Sequence, residues 1–415
     1  MGFIIAGELA AVLCILIYIV CFLPDTGYVS GAGQNSPGKG TEAVQLSDPG
    51  INADIQVSGN VVSVKEEITF ANAQKEIFAY IPSANLSKTT IKQISVNGDF
   101  EKEIVDGTNL VVKCERPQDK IGVQYEMVLD SRQTTLSYSG SCILLTNFLI
   151  TPAVYRNNAP IMTYKWYFGD PYIYGMHNYS ITFKIDKSYS IFAPGQKQDI
   201  VRGGTRIAAF EADNLRDFPA VLFESAEVRT QKTGGTTLYY VNSSASMEHV
   251  NYAFSYAQKI IGPYPYKELF IVKAPILNEG MEFSNMIFLS DKSFSNSETL
   301  KRVSYHEVLH QWFYGIIGTD QINEPFLDEG IVNYLAMRLC NDSFSENYNG
   351  NLFNLHLKDY STREEYYELA YNSSTLYFYS LNKKLGDRFF KNLGKIYESK
   401  KYKILYYDDF IKLMN

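Results

Sequence analysis

The sequence predicts a multidomain α+β protein: a β-sandwich-like domain, then a mixed α/β region that turns helical, behind one N-terminal transmembrane helix. Three observations lead there. From about residue 51 to 230, apolar and polar residues alternate at period two, and turn dipeptides such as Asn97-Gly98 and Asp106-Gly107 separate the runs. Near residue 245 the apolar period becomes three and four. At the start, Leu9 to Leu23 is an unbroken apolar run of fifteen residues. A chain of 415 residues exceeds what one compact core holds. It divides into 1–23 as membrane anchor or signal sequence, 24–50 as linker, 51–232 as the β-rich domain and 233–415 as the second domain.

Extended back to Phe3, the apolar run reaches 21 residues, and a helix of that length spans about 30 Å, enough for one bilayer. Ser30 and Ala32 are small residues at the spacing a signal peptidase needs. However, no Lys or Arg precedes the run, and Lys39 is the first basic residue anywhere. The segment reads as an uncleaved single-pass anchor in the lipid bilayer, with the rest of the chain outside the cytoplasm; cleavage would make the protein secreted. Gly27, Gly31, Gly33, Pro37, Gly38 and Gly40, set among Ser, Asn and Thr, make the linker a flexible tether.

Within the β-rich domain, Ile121 to Leu129 and Tyr179 to Ile185 alternate cleanly. After the period changes, Met247, Val250, Phe254, Ala257 and Ile261 line one helix face, and Gly262-Pro263 stops it. Leu269 to Ile276 reads as a strand, and most of the chain beyond 296 as helix. The net charge of −7, with no block of basic residues, excludes a nucleic-acid partner. Among the five Cys no C-x-x-C occurs, which excludes a zinc knuckle or a thioredoxin-type site; Cys114 and Cys142 would pair if their strands were neighbours.

The chemistry concentrates in Ser304-Tyr305-His306-Glu307-Val308-Leu309-His310-Gln311-Trp312. Ser295 with Glu298 forms a capping box ahead of it, and Gly315 and Gly318 supply a stop, so one helix carries the stretch. His306 and His310 then share a face one turn apart and can reach a single tetrahedral Zn²⁺. Glu307 projects beside that position as a general base. Five His in 415 residues give about 0.06 pairs at this spacing by chance, so the pair reads as ligands. His177, His249 and His356 read as hydrogen-bonded core residues. A catalytic zinc has three protein ligands and an open position. The next helix, Glu324 to Tyr334, offers Glu329, with eighteen residues between it and His310.

HEVLH, eighteen residues, then a Glu within FLDEGIVNYLA resembles the gluzincin metallopeptidases of the aminopeptidase N and leukotriene hydrolase type. Gly280-Met281-Glu282-Phe283 is similar to that family's G-x-M-E-N strand, which implies that Glu282 captures the free α-amine of a peptide and that Gly280 and Met281 line the substrate. Tyr371, followed by Leu376 to Leu381 and Leu385-Gly386-Asp387, resembles the family's Y-x-x-G segment, which implies an oxyanion-stabilising hydroxyl; Tyr366 and Tyr367 are alternatives. YSITFKIDKSYSIFAPGQ and IAAFEADNLRDFPAVLF resemble its N-terminal domain, so the likeness runs over about residues 51–415. There are departures. Phe283 stands where Asn is usual, Glu279 where a Gly is common and Ser374 in place of the Gly. The chain ends about 44 residues beyond Tyr371, which implies that the family's C-terminal helical domain is absent and the cleft more open.

The resemblance implies a thermolysin-like catalytic domain holding one Zn²⁺ through His306, His310 and Glu329, with Glu307 and Tyr371 as catalytic residues and Asn333 behind a ligand. The expected protein is a membrane-tethered aminopeptidase acting on peptides or proteins. Its rivals are an open-cleft zinc endopeptidase and a non-catalytic peptide-binding module on the same fold.

Overall fold

Alternation at period two becomes two sheets packed face to face. The structure is a computed structural model that describes residues 50–83, 87–98, 100–243, 247–344 and 354–415. The predicted anchor 1–23 and the linker up to Gly50 lie outside the described residues. Among the described residues no helix is long and apolar enough to cross a membrane. In the first sheet, Gly50–Ser58 runs parallel to His177–Asp186 on one side and antiparallel to Val61–Tyr80 on the other. Ile51, Ala53, Ile55 and Val57 are buried while Asn52, Asp54 and Gln56 are exposed, because along this strand only one face of the sheet is covered. A four-stranded sheet covers it, through Ile143 and Leu145 of Cys142–Leu145 and Ala220 and Leu222 of Ala220–Phe223.

A third, five-stranded sheet begins at Val228 and has the order Val228–Thr233, Thr236–Val241, Glu268–Ala274, Met286–Ser290, Gly280–Phe283. Its Phe270, Val272, Phe283 and Phe288 pack against Leu144, Val221 and Phe223, on the other face of the four-stranded sheet. Its Leu269, Ile271, Ile287 and Leu289 pack under helices. Glu268–Ala274 has a parallel neighbour on each side and both faces covered, hence its continuous apolar run. It starts and stops earlier than the expected Leu269 to Ile276. Cys114 lies in Asn109–Val128 of the first sheet and Cys142 in the four-stranded sheet, so the condition for pairing is not met and both are buried free thiols.

The helices are α1 (Met247–Ile260), α2 (Ser297–His310), α3 (Phe326–Cys340), α4 (Arg363–Tyr366), α5 (Ser374–Leu385), α6 (Arg388–Lys400) and α7 (Tyr407–Met414). A π-helical segment, Tyr367–Ser373, joins α4 to α5. The cap of α2 corrects the expected one. Asn296, extended at φ −140°, accepts from the amides of Glu298 (2.8 Å) and Thr299 (3.2 Å). Ser295 instead sits in a preceding 3₁₀ turn. The helix also ends at His310, short of the glycines, and residues 311–317 fold back on it, with the Gly315 amide donating to the His310 carbonyl at 2.9 Å.

Candidate metal centre

Helical periodicity sets two imidazoles side by side on α2. The rings of His306 and His310 lie 4.6 Å apart, and their Nε2 atoms 2.9 Å. His310 Nδ1 is 3.1 Å from the Phe313 carbonyl; donating its proton there leaves Nε2 as the lone-pair nitrogen. From α3, Glu329 brings Oε2 to 3.3 Å from His306 Nε2 and 3.4 Å from His310 Nε2. The three ligand atoms lie within 4.8 Å of one another. Two imidazole nitrogens and one carboxylate oxygen are a catalytic zinc donor set. The fit rests on Glu329 Oε2, which is buried and receives no hydrogen bond. A cation at the point where the three atoms converge satisfies it.

The electrostatics agree. Burial favours a neutral Glu329, but the two imidazoles outweigh it and hold the carboxyl well below its usual range. Burial pushes His306 down, toward the neutral form that ligates. Burial also opposes charge on His310, yet Glu282, Glu329 and Glu307 together raise it well above an ordinary histidine. The carboxylates thus call for positive charge at this spot.

Glu307 points from α2 to the edge strand Gly280–Phe283. A Cβ on Gly280 would lie 2.3 Å from Glu307 Oε1, so only glycine lets the strand approach this closely. Glu307 Oε2 is buried without a hydrogen-bond donor, and burial, then the charge of Glu282, raises the carboxyl well above its usual range. The pleat places Gly280 and Glu282 on one face of the strand and Met281 and Phe283 on the other. Glu282 is buried, accepts from Gln321 Nε2 at 3.4 Å, and is pushed up to about 7 chiefly by burial. The Met281 side chain packs in the core between sheets, so only its backbone is free to line a substrate. Phe283 belongs to that core too, its ring tilted 58° to that of Phe288 at 4.9 Å, and its carbonyl accepts from Gln311 Nε2 at 3.0 Å.

Tyr371 lies in the π-helical segment with its ring nearly parallel to that of His306, 15° and 6.2 Å apart. The rings of Tyr366 and Tyr367 pack on it at 5.7 and 5.1 Å. Ser374 replaces the expected glycine and donates to the Ala370 carbonyl; the room for it comes from Gly330, whose Cβ would lie 2.3 Å from Ser374 Oγ. Asn333 points elsewhere than a ligand, donating to Thr375 Oγ1 at 2.9 Å and tying α3 to α5. His356, read as a core residue, is exposed.

Four further residues complete the surroundings. Asp328 accepts from Thr319 Oγ1 (2.7 Å), Gln321 Nε2 (3.0 Å) and the Glu329 amide (2.9 Å). Asp170 is raised by burial and by the charges of Glu282, Glu329 and Asp328, which places it within electrostatic reach of the centre. The one sequence signal for it is an acid inside the aromatic stretch Tyr164 to Tyr174. Thr319, Gln321 and Asp328 carry no comparable signal.

Comparison with known proteins places one domain and the fold. Residues 245–403 match the peptidase family M1 domain. No curated protein matches the chain. Among solved structures, the M1 zinc metallopeptidase of Deinococcus radiodurans aligns with a TM-score of 0.63 at 14% identity, over 90% of this chain and 91% of that one. A mutant of a two-domain M1 zinc metallopeptidase, bound to L-tryptophan, aligns with a TM-score of 0.63 at 14% identity, over 91% and 92% of the two chains.

Proposed function

We propose, for a zinc metallopeptidase that carries a peptidase family M1 domain over residues 245–403, the activity of an aminopeptidase. In this reading His306, His310 and Glu329 hold one zinc per chain. Zinc, when bound, polarises the scissile carbonyl and lowers the pKa of water. Glu307 takes the proton from the attacking water and passes it to the leaving amine. Its unpaired Oε2 supports that role, because a proton acceptor has to be free of competing donors. The Tyr371 hydroxyl donates to the developing oxyanion.

The observation that carries the exopeptidase assignment is the shared face of Gly280 and Glu282. Gly280 touches the general base, and Glu282 presents a buried carboxylate two residues along the same edge strand, about 7 Å away. An α-ammonium bonded to Glu282 at about 3 Å, followed by one residue of substrate of at most about 3.6 Å, brings the first peptide bond beside Glu307. A charge-assisted bond of this kind contributes about 1.5–3 kcal/mol.

The test compares a short peptide with its N-acetylated form, which presents no cation. Acetylation is expected to cut kcat/KM at least about tenfold in the parent, and Glu282→Ala to erase most of the difference. Equal rates on both peptides would reject amine capture and leave an endopeptidase. The apolar run Leu9 to Leu23 supports tethering of the chain to a membrane with its catalytic domain outside the cytoplasm; recovery of the full-length chain in the aqueous phase of a detergent partition would refute the tether.

A further inference from the structure

Arg216, at the end of strand Thr205–Leu215, is 1% exposed, and its guanidinium donates to four backbone carbonyls. Nε reaches Tyr314 (2.5 Å), Nη1 reaches Tyr174 (2.9 Å), and Nη2 reaches Ile316 (3.1 Å) and Lys403 (2.9 Å). Gly318 lets the chain run against it, since a Cβ there would lie 2.4 Å from the guanidinium. Burying a charged group on this scale is costly unless its donors are paired, and these are.

Two of the four carbonyls belong to the loop after the helix with His306 and His310. Tyr314 in that loop has φ +109°, a conformation that is strained for a bulky residue and persists only where neighbours impose it. The Arg216 bond to the Tyr314 carbonyl and the bond from the Tyr314 amide to the Ile317 carbonyl (2.8 Å) grip this residue from both sides. The consequence lies one peptide earlier. Rotation about φ of Tyr314 turns the Phe313–Tyr314 peptide plane, and the Phe313 carbonyl in that plane is the acceptor for His310 Nδ1.

We propose that Arg216 is a positioning residue for His310: it holds Tyr314 in its strained conformation and thereby keeps the Phe313 carbonyl aimed at the imidazole. The β-rich half of the chain would then set the orientation of a ligand in the catalytic half. This rests on His310 being a zinc ligand, as proposed above. Partners that orient metal-bound histidines are worth about 10–100-fold in affinity, and Arg216 acts one bond further out.

The test is zinc release from the intact, zinc-loaded protein to a colorimetric chelator, at a temperature where all variants are folded. Arg216→Met is expected to release zinc about tenfold faster than the parent, and Arg216→Lys, which keeps the charge and fewer bonds, to fall between. Ile181→Ala in the sandwich core serves as a control for general loosening. If, at matched loss of thermal stability, it releases zinc as fast as Arg216→Met, the positioning role is overturned; a parental rate in Arg216→Met overturns it too. Should Arg216→Met not fold, Arg216→Lys against the same control carries the comparison. Cobalt-substituted protein gives a second readout, since a reoriented His310 changes the visible bands and uniform loosening does not. His310→Ala separates the two readings. If it keeps its zinc, the ligand assignment fails; if it loses zinc while Arg216→Met behaves as the parent, only the positioning role fails.

Discussion

Glu307 has one carboxylate oxygen pressed against Gly280 and the other buried without a donor, an arrangement that makes sense for a group that must accept a proton. Glu307→Gln preserves shape and removes that capacity. It is expected to retain zinc and fold while turnover falls at least about 100-fold, measured by metal content and by kcat on a free-amine peptide. Undiminished turnover would remove Glu307 from the chemistry. His306, Glu307 and His310 were legible in the sequence because helix geometry is local: a four-residue interval on one helix fixes who faces whom. Glu329 was legible through its spacing. Gln321 and Asp170 were not, because they reach the centre from a loop and from the β-rich half of the chain, and no periodicity links them to it; Asp328, beside Glu329 on α3, has a role only through its bonds to Thr319 and Gln321, which spacing does not show.

Among the elements, the edge strand Gly280–Phe283 carries the most consequence per residue. Its pleat sends Phe283 into the core and Glu282 to the site, so the departure from the usual Asn is a core substitution rather than a change in the site. Gly280→Ala puts a methyl group where Glu307 Oε1 now lies, and the carboxylate has to move. The expected outcome is unchanged zinc content with a fall in kcat of about tenfold or more, because the proposed general base, displaced by about 1 Å, loses its alignment. A fall in KM alone, or none, would show that the strand yields instead. The start of α2 was misread by one residue: Asn296 and Ser295 are both good caps by composition, and only the extended backbone at Asn296 decides between them. The π-helical turn under Tyr371 has no signature in the sequence at all. Such turns are frequent at functional sites, and here one carries the proposed oxyanion donor.

At the scale of the molecule, the buried face of strand Val61–Tyr80 reads Val62, Val64, Glu66, Ile68, Phe70, and the intruding acid shapes the pH response. Burial pushes the Glu66 carboxyl up to about 8, despite bonds from the Ile150 amide and the Tyr125 hydroxyl, both 3.1 Å. With an ordinary value of 4.5 when unfolded, the native state holds an extra proton between the two. Its contribution is therefore full below pH 4.5 and is lost as pH rises toward 8, by up to about 1.4 kcal/mol per unit. Urea midpoints are expected to fall from pH 5 to pH 8 in the parent, and less steeply in Glu66→Gln; parallel profiles would mean that Glu66 titrates normally. The succession of strands and then helices was readable because period two and period 3.6 are properties of short windows. How three sheets stack was not, since the runs Cys142–Leu145 and Ala220–Phe223 look alike whether one face is covered or two. Both are buried throughout: the four-stranded sheet is the inner face of the sandwich and the floor of the catalytic half at once. Such halves are not interchangeable cassettes: a gene cut near Val228 would leave Phe270 and Phe288 bare on one product and Leu144 and Phe223 bare on the other.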